Sequence, residues 1–238
     1  YSYTYSTTML PKKNTFYYKG MLDLAGNITG LVTGANAKEG KEKTIFGVPF
    51  SQYAKIENDV RFYHKFTEKT SFASRFIAGV AVPYGNSKSI PYIKQYFSGG
   101  ANSVRGWSVR ELGPGSFPGD GNYLNQSGDI KFDASIEYRS KLFWLLQGAL
   151  FVDAGNIWTI KEYENQPGGQ FDISKFYKQI AFAYGLGIRI DLDYLVFRID
   201  GGMKALNPAY SSGKQRYPIL NPNFKRDFTF HLAVGYPF

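Results

Sequence analysis

Cysteine is absent from the 238 residues, which excludes disulfides, thiolate metal sites and a thiol nucleophile. Histidine occurs only at His64 and His231, too sparse for a multi-imidazole metal centre. No stretch approaches the ~18 apolar residues of a membrane-spanning helix, and leucine-rich helical runs are also missing. The mean hydropathy of −0.30 still permits a membrane protein of another kind. In a transmembrane barrel only every second residue meets lipid, so the average stays near that of a soluble chain. No signal-peptide pattern opens the sequence. It begins Tyr1-Ser2-Tyr3-Thr4-Tyr5, which reads as a strand.

Tyrosine, phenylalanine and glycine are plentiful, a mixture suited to pleated sheet and tight turns. The net charge of +9 would admit nucleic acid or acidic lipid as a partner. Basic residues are not interleaved with stacking aromatics in any one element, which argues against nucleic acid. No nucleotide motif is present, and Gly185 and Gly187 sit inside a strand pattern rather than a phosphate-binding turn. The sequence therefore implies no cofactor, no metal and no catalytic residues; a Ser/His/Asp hydrolase has no motif behind it.

Period-2 alternation organises what remains. Between Ile130 and Tyr138, Ile130, Phe132, Ala134, Ile136 and Tyr138 alternate with Lys131, Asp133, Ser135 and Glu137. From Ile180 to Leu192 the apolar set Ile180, Phe182, Tyr184, Leu186, Ile188, Ile190 and Leu192 faces away from Ala181, Ala183, Gly185, Gly187, Arg189 and Asp191. The final segment repeats the pattern, with Phe228, Phe230, Leu232, Val234, Tyr236 and Phe238 on one face and Thr229, His231, Ala233 and Gly235 on the other. Further strands are expected near 1–8, 14–31, 49–66, 70–83, 143–154 and 194–203, about nine in all, several as long as the ~9–11 residues that cross a bilayer. Short turns near 9–13, 67–69, 140–142 and 192–194 alternate with long links near 32–48, 84–128, 155–178 and 204–227. Short turns on one rim and long loops on the other describe an all-β, antiparallel transmembrane β-barrel. An odd strand count and a strand at residue 1 predict that residues 1–238 are the C-terminal part of a larger barrel. No domain boundary falls inside them. The run Gly113–Gly121 punctuates a loop. Phe143-Trp144 and Tyr17-Tyr18 are expected in interfacial girdles. Asp191, Asp193 and Asp200 read as rim charges rather than a cation site.

The longest loop carries Ser103-Val104-Arg105-Gly106-Trp107, which resembles the (V/I)RG(F/Y) signature of the BamA/TamA superfamily of outer-membrane assembly proteins. Leu112-Gly113-Pro114-Gly115, Ala134-Ser135-Ile136-Glu137-Tyr138, Phe151-Val152-Asp153-Ala154-Gly155-Asn156-Ile157-Trp158 and the terminal aromatic strand resemble further family segments, in the family's order over residues 96–238. The wording Pro91-Tyr92-Ile93-Lys94-Gln95-Tyr96-Phe97-Ser98-Gly99-Gly100 looks most like the lipoprotein TamL-type branch. Trp107 departs from the usual Phe or Tyr, which preserves an aromatic but changes its size.

The resemblance implies a 16-stranded barrel and a loop that folds back into the lumen, where Arg105 pairs with Glu137 and Asp153. Parity agrees independently: Glu137 lies on the charged face of its strand, and Asp153 shares a face with Gln147 while Leu146, Leu150 and Val152 lie opposite. The resemblance also makes Phe228, Phe230, Leu232, Gly235, Tyr236 and Phe238 a C-terminal strand signal and one side of a weak seam, where Pro237 withholds a ladder donor. The implied function is non-enzymatic assembly and insertion of other barrels in the bacterial outer membrane. Its partners would be membrane lipid, unfolded β-barrel or surface-protein clients and accessory envelope proteins. The POTRA modules that accompany such barrels are not visible here. Two other readings stay open: a two-partner secretion transporter, and a passive porin or adhesin.

Overall fold

The computed structural model describes every residue except Asp193, whose part in the rim-charge reading lies outside the described residues; for Tyr123 only the backbone is described. Nine strands form one antiparallel sheet: β1 (Ser2–Ser6), β2 (Asn14–Ala25), β5 (Tyr53–Lys65), β6 (Thr70–Pro83), β7 (Ile130–Lys141), β8 (Leu146–Trp158), β9 (Ala181–Asp191), β10 (Val196–Leu206) and β11 (Phe228–Val234). They pair in chain order. A separate two-stranded hairpin, β3 (Thr44–Ile45) and β4 (Val48–Pro49), lies in the first long loop. Among the described residues no helix is long and apolar enough to cross a membrane.

Strands β2 and β5 to β10 have 11 to 14 residues, the length a tilted membrane strand requires. Their outer faces expose Phe62, Phe76, Val80, Val82, Ile136, Leu150, Val152, Leu186, Ile188 and Ile199. A soluble protein would bury such a band; a bilayer supplies its cover. The inner face carries the charges. The sheet curls strongly enough that residues beyond β11 touch β6 and β7: Arg75 donates to the Pro237 carbonyl at 3.3 Å and Arg139 to that of Phe238 at 3.3 Å.

Turn chemistry sets the rim. The Thr67 hydroxyl accepts from the backbone N–H groups of Lys69 and Thr70, closing the β5–β6 hairpin. Phe143 and Trp144 project from the β7–β8 turn, where an interfacial girdle would sit. Tyr17 does not join them. It stacks under the Arg61 guanidinium, 4.6 Å from ring centroid to Cζ, on the inner face; Tyr18 faces outward and donates to Asn58.

Two of the strand boundaries that differ from expectation have a glycine as their cause. The strand expected over 14–31 stops at Ala25, because Gly26 turns left-handed (φ 69°) into α1 (Asn27–Thr33). The terminal strand ends at Val234, because Gly235 takes φ 85° and reverses the parity beyond it. Phe228, Phe230, Leu232 and Val234 therefore face outward as expected, whereas Tyr236 and Phe238 do not. Tyr236 donates to Asp191 and Gln147 on the inner face, and both aromatic rings stack against Arg139. The lipid-facing placement of Tyr236 and Phe238 is thus corrected: beyond Gly235 the two residues form an inward hook.

Candidate functional site

The loop 84–129 crosses the inner face and is tied down along its length. On entry, Lys94 pairs with Asp23 of β2 at 2.7 Å, and Lys55 of β5 donates to the Lys94 carbonyl at 2.9 Å. Lys131 donates to the Phe97 carbonyl at 2.9 Å. Ser103 then donates to Asp133 at 2.6 Å, with Ser98 beside it. Beyond the tip, Asn156 donates to the Gly115 carbonyl and Gly115 to that of Ile157, each at 2.8 Å. These last contacts join two of the motifs, Leu112–Gly115 and Phe151–Trp158, that lie far apart in sequence.

Arg105 sits at the tip, 1 % exposed. Its Nε and Nη2 donate to the two oxygens of Asp153 at 2.8 and 2.9 Å, a bidentate fork, while its backbone N–H adds a third bond at 3.0 Å. Nη1 donates to Glu137 at 2.7 Å. The guanidinium lies over Phe151, 3.5 Å from the ring centroid. A planar cation with donors on two edges and an attractive face uses all three here. Burial alone would lower its proton affinity, but Asp153 and Glu137 hold it above the ordinary arginine value.

The structure thus brings together Arg105, Glu137 and Asp153, and adds partners the sequence reading left out. Arg189 donates to Glu137 at 2.9 Å, as does Arg139 at 2.8 Å. Asp200 lies between Arg189 (2.9 Å) and Arg198 (3.2 Å), close-range charge contacts without hydrogen-bond alignment. Arg105, Arg189 and Arg198 face Glu137, Asp153 and Asp200, all six within 1 % of full burial. Three cations thus match three anions, the condition for removing such charges from water. Arg198 also donates to Asn102 of the loop at 2.7 Å. Asp200 is accordingly a buried counter-ion rather than a rim charge. Parity already placed Arg189 inward; the matching of charges was the available signal.

Small residues make the close approach possible. The loop tip lies flat on β9 and β10, and a Cβ at Gly202 would collide with the Arg105 carbonyl. Gly106 packs against Ala183 and Lys204. The Arg105 carbonyl accepts from His231 Nε2 at 2.9 Å and that of Gly106 from Thr229 at 2.9 Å, both on β11. Val104 and Trp107 are buried with Leu112, Ala181 and Ala183. The larger indole fits this pocket, with Lys204 Nζ 5.2 Å from its centroid. Lys204 also meets Glu111 at 3.2 Å. Burial raises the Glu111 carboxyl, but Lys204 and the Ser108 N–H outweigh it and hold it below the usual range. Among the described residues no group of His, Asp and Glu is arranged to hold a metal.

The Omp85 superfamily domain model matches residues 34–238. The outer membrane protein assembly factor BamA of Neisseria meningitidis serogroup B is 29% identical over 165 residues, covering 62% of this chain and 20% of that protein. The human sorting and assembly machinery component 50 homolog is 28% identical over 140 residues, covering 52% of this chain and 28% of that protein. The chain thus spans less than a third of either relative. The crystal structure of BamA from Haemophilus ducreyi lacking POTRA domains 1–3 superposes with a TM-score of 0.56 at 15% identity, covering 98% of this chain and 41% of that one, which speaks for the fold. The chain belongs to the Omp85 superfamily, whose members are integral β-barrel proteins of the outer membrane.

Proposed function

We propose that this domain helps other β-barrels or surface proteins to fold and insert into the outer membrane, without bond-making chemistry of its own. The relatives are named as assembly components. The observation that carries the reading is the loop tip locked by Arg105, because it reaches the last strand as well as the middle of the sheet. Through His231 and Thr229 the tip grips β11, while the buried charges fix β7 to β10. A firmly held β11 can offer its outer edge as a template. Among the described residues β11 pairs only with β10, and an unpaired edge is a row of donors and acceptors that an incoming strand can complete. Within the family, the wording of residues 91–100 favours the TamL-type branch.

The test is reconstitution. Full-length protein in liposomes is expected to accelerate the folding of an unfolded outer-membrane barrel, read by heat-modifiable mobility, and Arg105→Ala to abolish the acceleration. A wild-type protein that leaves client folding unchanged but conducts ions through a large pore would instead favour transport.

A further inference from the structure

The rim of short turns carries a strongly basic mouth. A cavity of about 770 Å3 opens there, walled by Lys12, Lys13, Lys65, Lys69 and Lys141 together with Tyr236 of the inward hook. The lysines form a continuous row. The Lys65 N–H donates to the Lys13 carbonyl and the Lys141 N–H to the Lys69 carbonyl, each at 2.8 Å, so neighbouring turns hold them side by side. All five are exposed, and among the described residues none makes an ion pair. Among the described residues Glu68 is the one acid in the wall. The remaining cation, Arg139, is already committed to Glu137 and the hook.

We infer that this mouth receives an extended acidic polypeptide segment arriving from the turn side of the membrane. Strands lie ~4.8 Å apart, so a row from β2 across β5 and β6 to β7 is roughly 15 Å long. A single phosphate cannot reach such a row, whereas about five residues of extended chain match it at ~3.3 Å each. Lys65 and Lys141 share strand parity with Asp59 and Glu137, on the inner face and away from lipid. A bilayer headgroup would have to leave its leaflet to occupy them. Like charges crowded in a cleft raise the local concentration of an opposite charge and steer it inward. The inference deepens the proposed function by naming the chemistry of a client or accessory segment, and it rests on that reading only for the identity of the visitor.

The test is binding rather than assembly. Full-length protein in phosphatidylcholine nanodiscs is mixed with a fluorescein-labelled peptide of alternating Glu and Ser, and with its Gln counterpart. Only the acidic peptide is expected to bind, more weakly as salt rises from about 50 to about 300 mM. The triple change Lys13→Glu, Lys65→Glu and Lys141→Glu should weaken binding about tenfold or more. The milder Gln triple should weaken it less, which guards against a folding defect in the first. The same reversal at Lys38, Lys41 and Lys43, in the loop on the opposite rim, should change nothing. Equal loss from both reversals, equal binding of the Gln peptide, or displacement of the peptide by phosphatidylglycerol in the discs would each overturn the inference. Binding without accelerated client folding would overturn the proposed function while sparing the mouth.

Discussion

The two ends of one sheet treat inward-facing charge in opposite ways. On β2 and β5 the inner face is partly wet: Lys19 is exposed, and Arg61, 23 % exposed at the side chain, shares Asp59 with Arg75. On β7 to β10 the same parity places Glu137, Asp153, Arg189, Arg198 and Asp200 under the docked loop, where water is excluded. Alternation decides which way a charge points, but only the loop decides whether it must be paired. At the wet end a lost partner is replaced by solvent. At the dry end it is not.

The strongest test of that contrast sets Arg105→Ala against Arg61→Ala. Removing Arg105 strips Asp153 of its fork and its guanidinium partner, and leaving a buried charge uncompensated costs about 3–5 kcal/mol. Asp59 is itself buried but keeps Arg75 when Arg61 is removed, so that change should cost less, about 1–2 kcal/mol. Denaturant unfolding in detergent, followed by heat-modifiable mobility, measures both; equal losses would erase the distinction. Next in size, Gly202→Ala inserts a methyl group where the Arg105 carbonyl rests. Overpacking of this kind costs about 1–3 kcal/mol and should expose Trp107, read as a red-shifted emission with Trp144 and Trp158 replaced by Phe. The smallest effect is acid sensitivity at Glu111. A carboxyl held below its usual range contributes stability that is present above about pH 4.3 and is lost as the pH falls through its folded value. Trp107 emission should therefore report loosening in acid, and Glu111→Gln should flatten that dependence.

Much of this arrangement is legible in the sequence, for identifiable reasons. Strand faces follow from alternation, and the motif around Arg105 points to Glu137 and Asp153. The outer members of the cluster are harder to see. Asp200 looks like a rim charge until β9 and β10 align it opposite Gly187, between Arg189 and Arg198. Helix α1 is hidden because Ile28, Leu31 and Val32 extend the apolar run of β2 past Gly26. The hook misleads most. Alternation continues unbroken through Tyr236 and Phe238, and a single left-handed glycine, Gly235, changes the side on which they fall.

That glycine also sets a height. A tilted strand of 13 residues such as β5 spans roughly 30 Å of hydrocarbon, whereas the seven residues of β11 span roughly 17 Å at ~3.4 Å per residue and a tilt near 45°. Lipid meeting β11 must therefore compress its acyl chains or admit headgroups to a depth that the longer strands β2 and β5 to β10 do not require. On the proposed reading the bilayer is then softer beside β11, which the locked loop grips through Thr229 and His231, than beside β5 to β10.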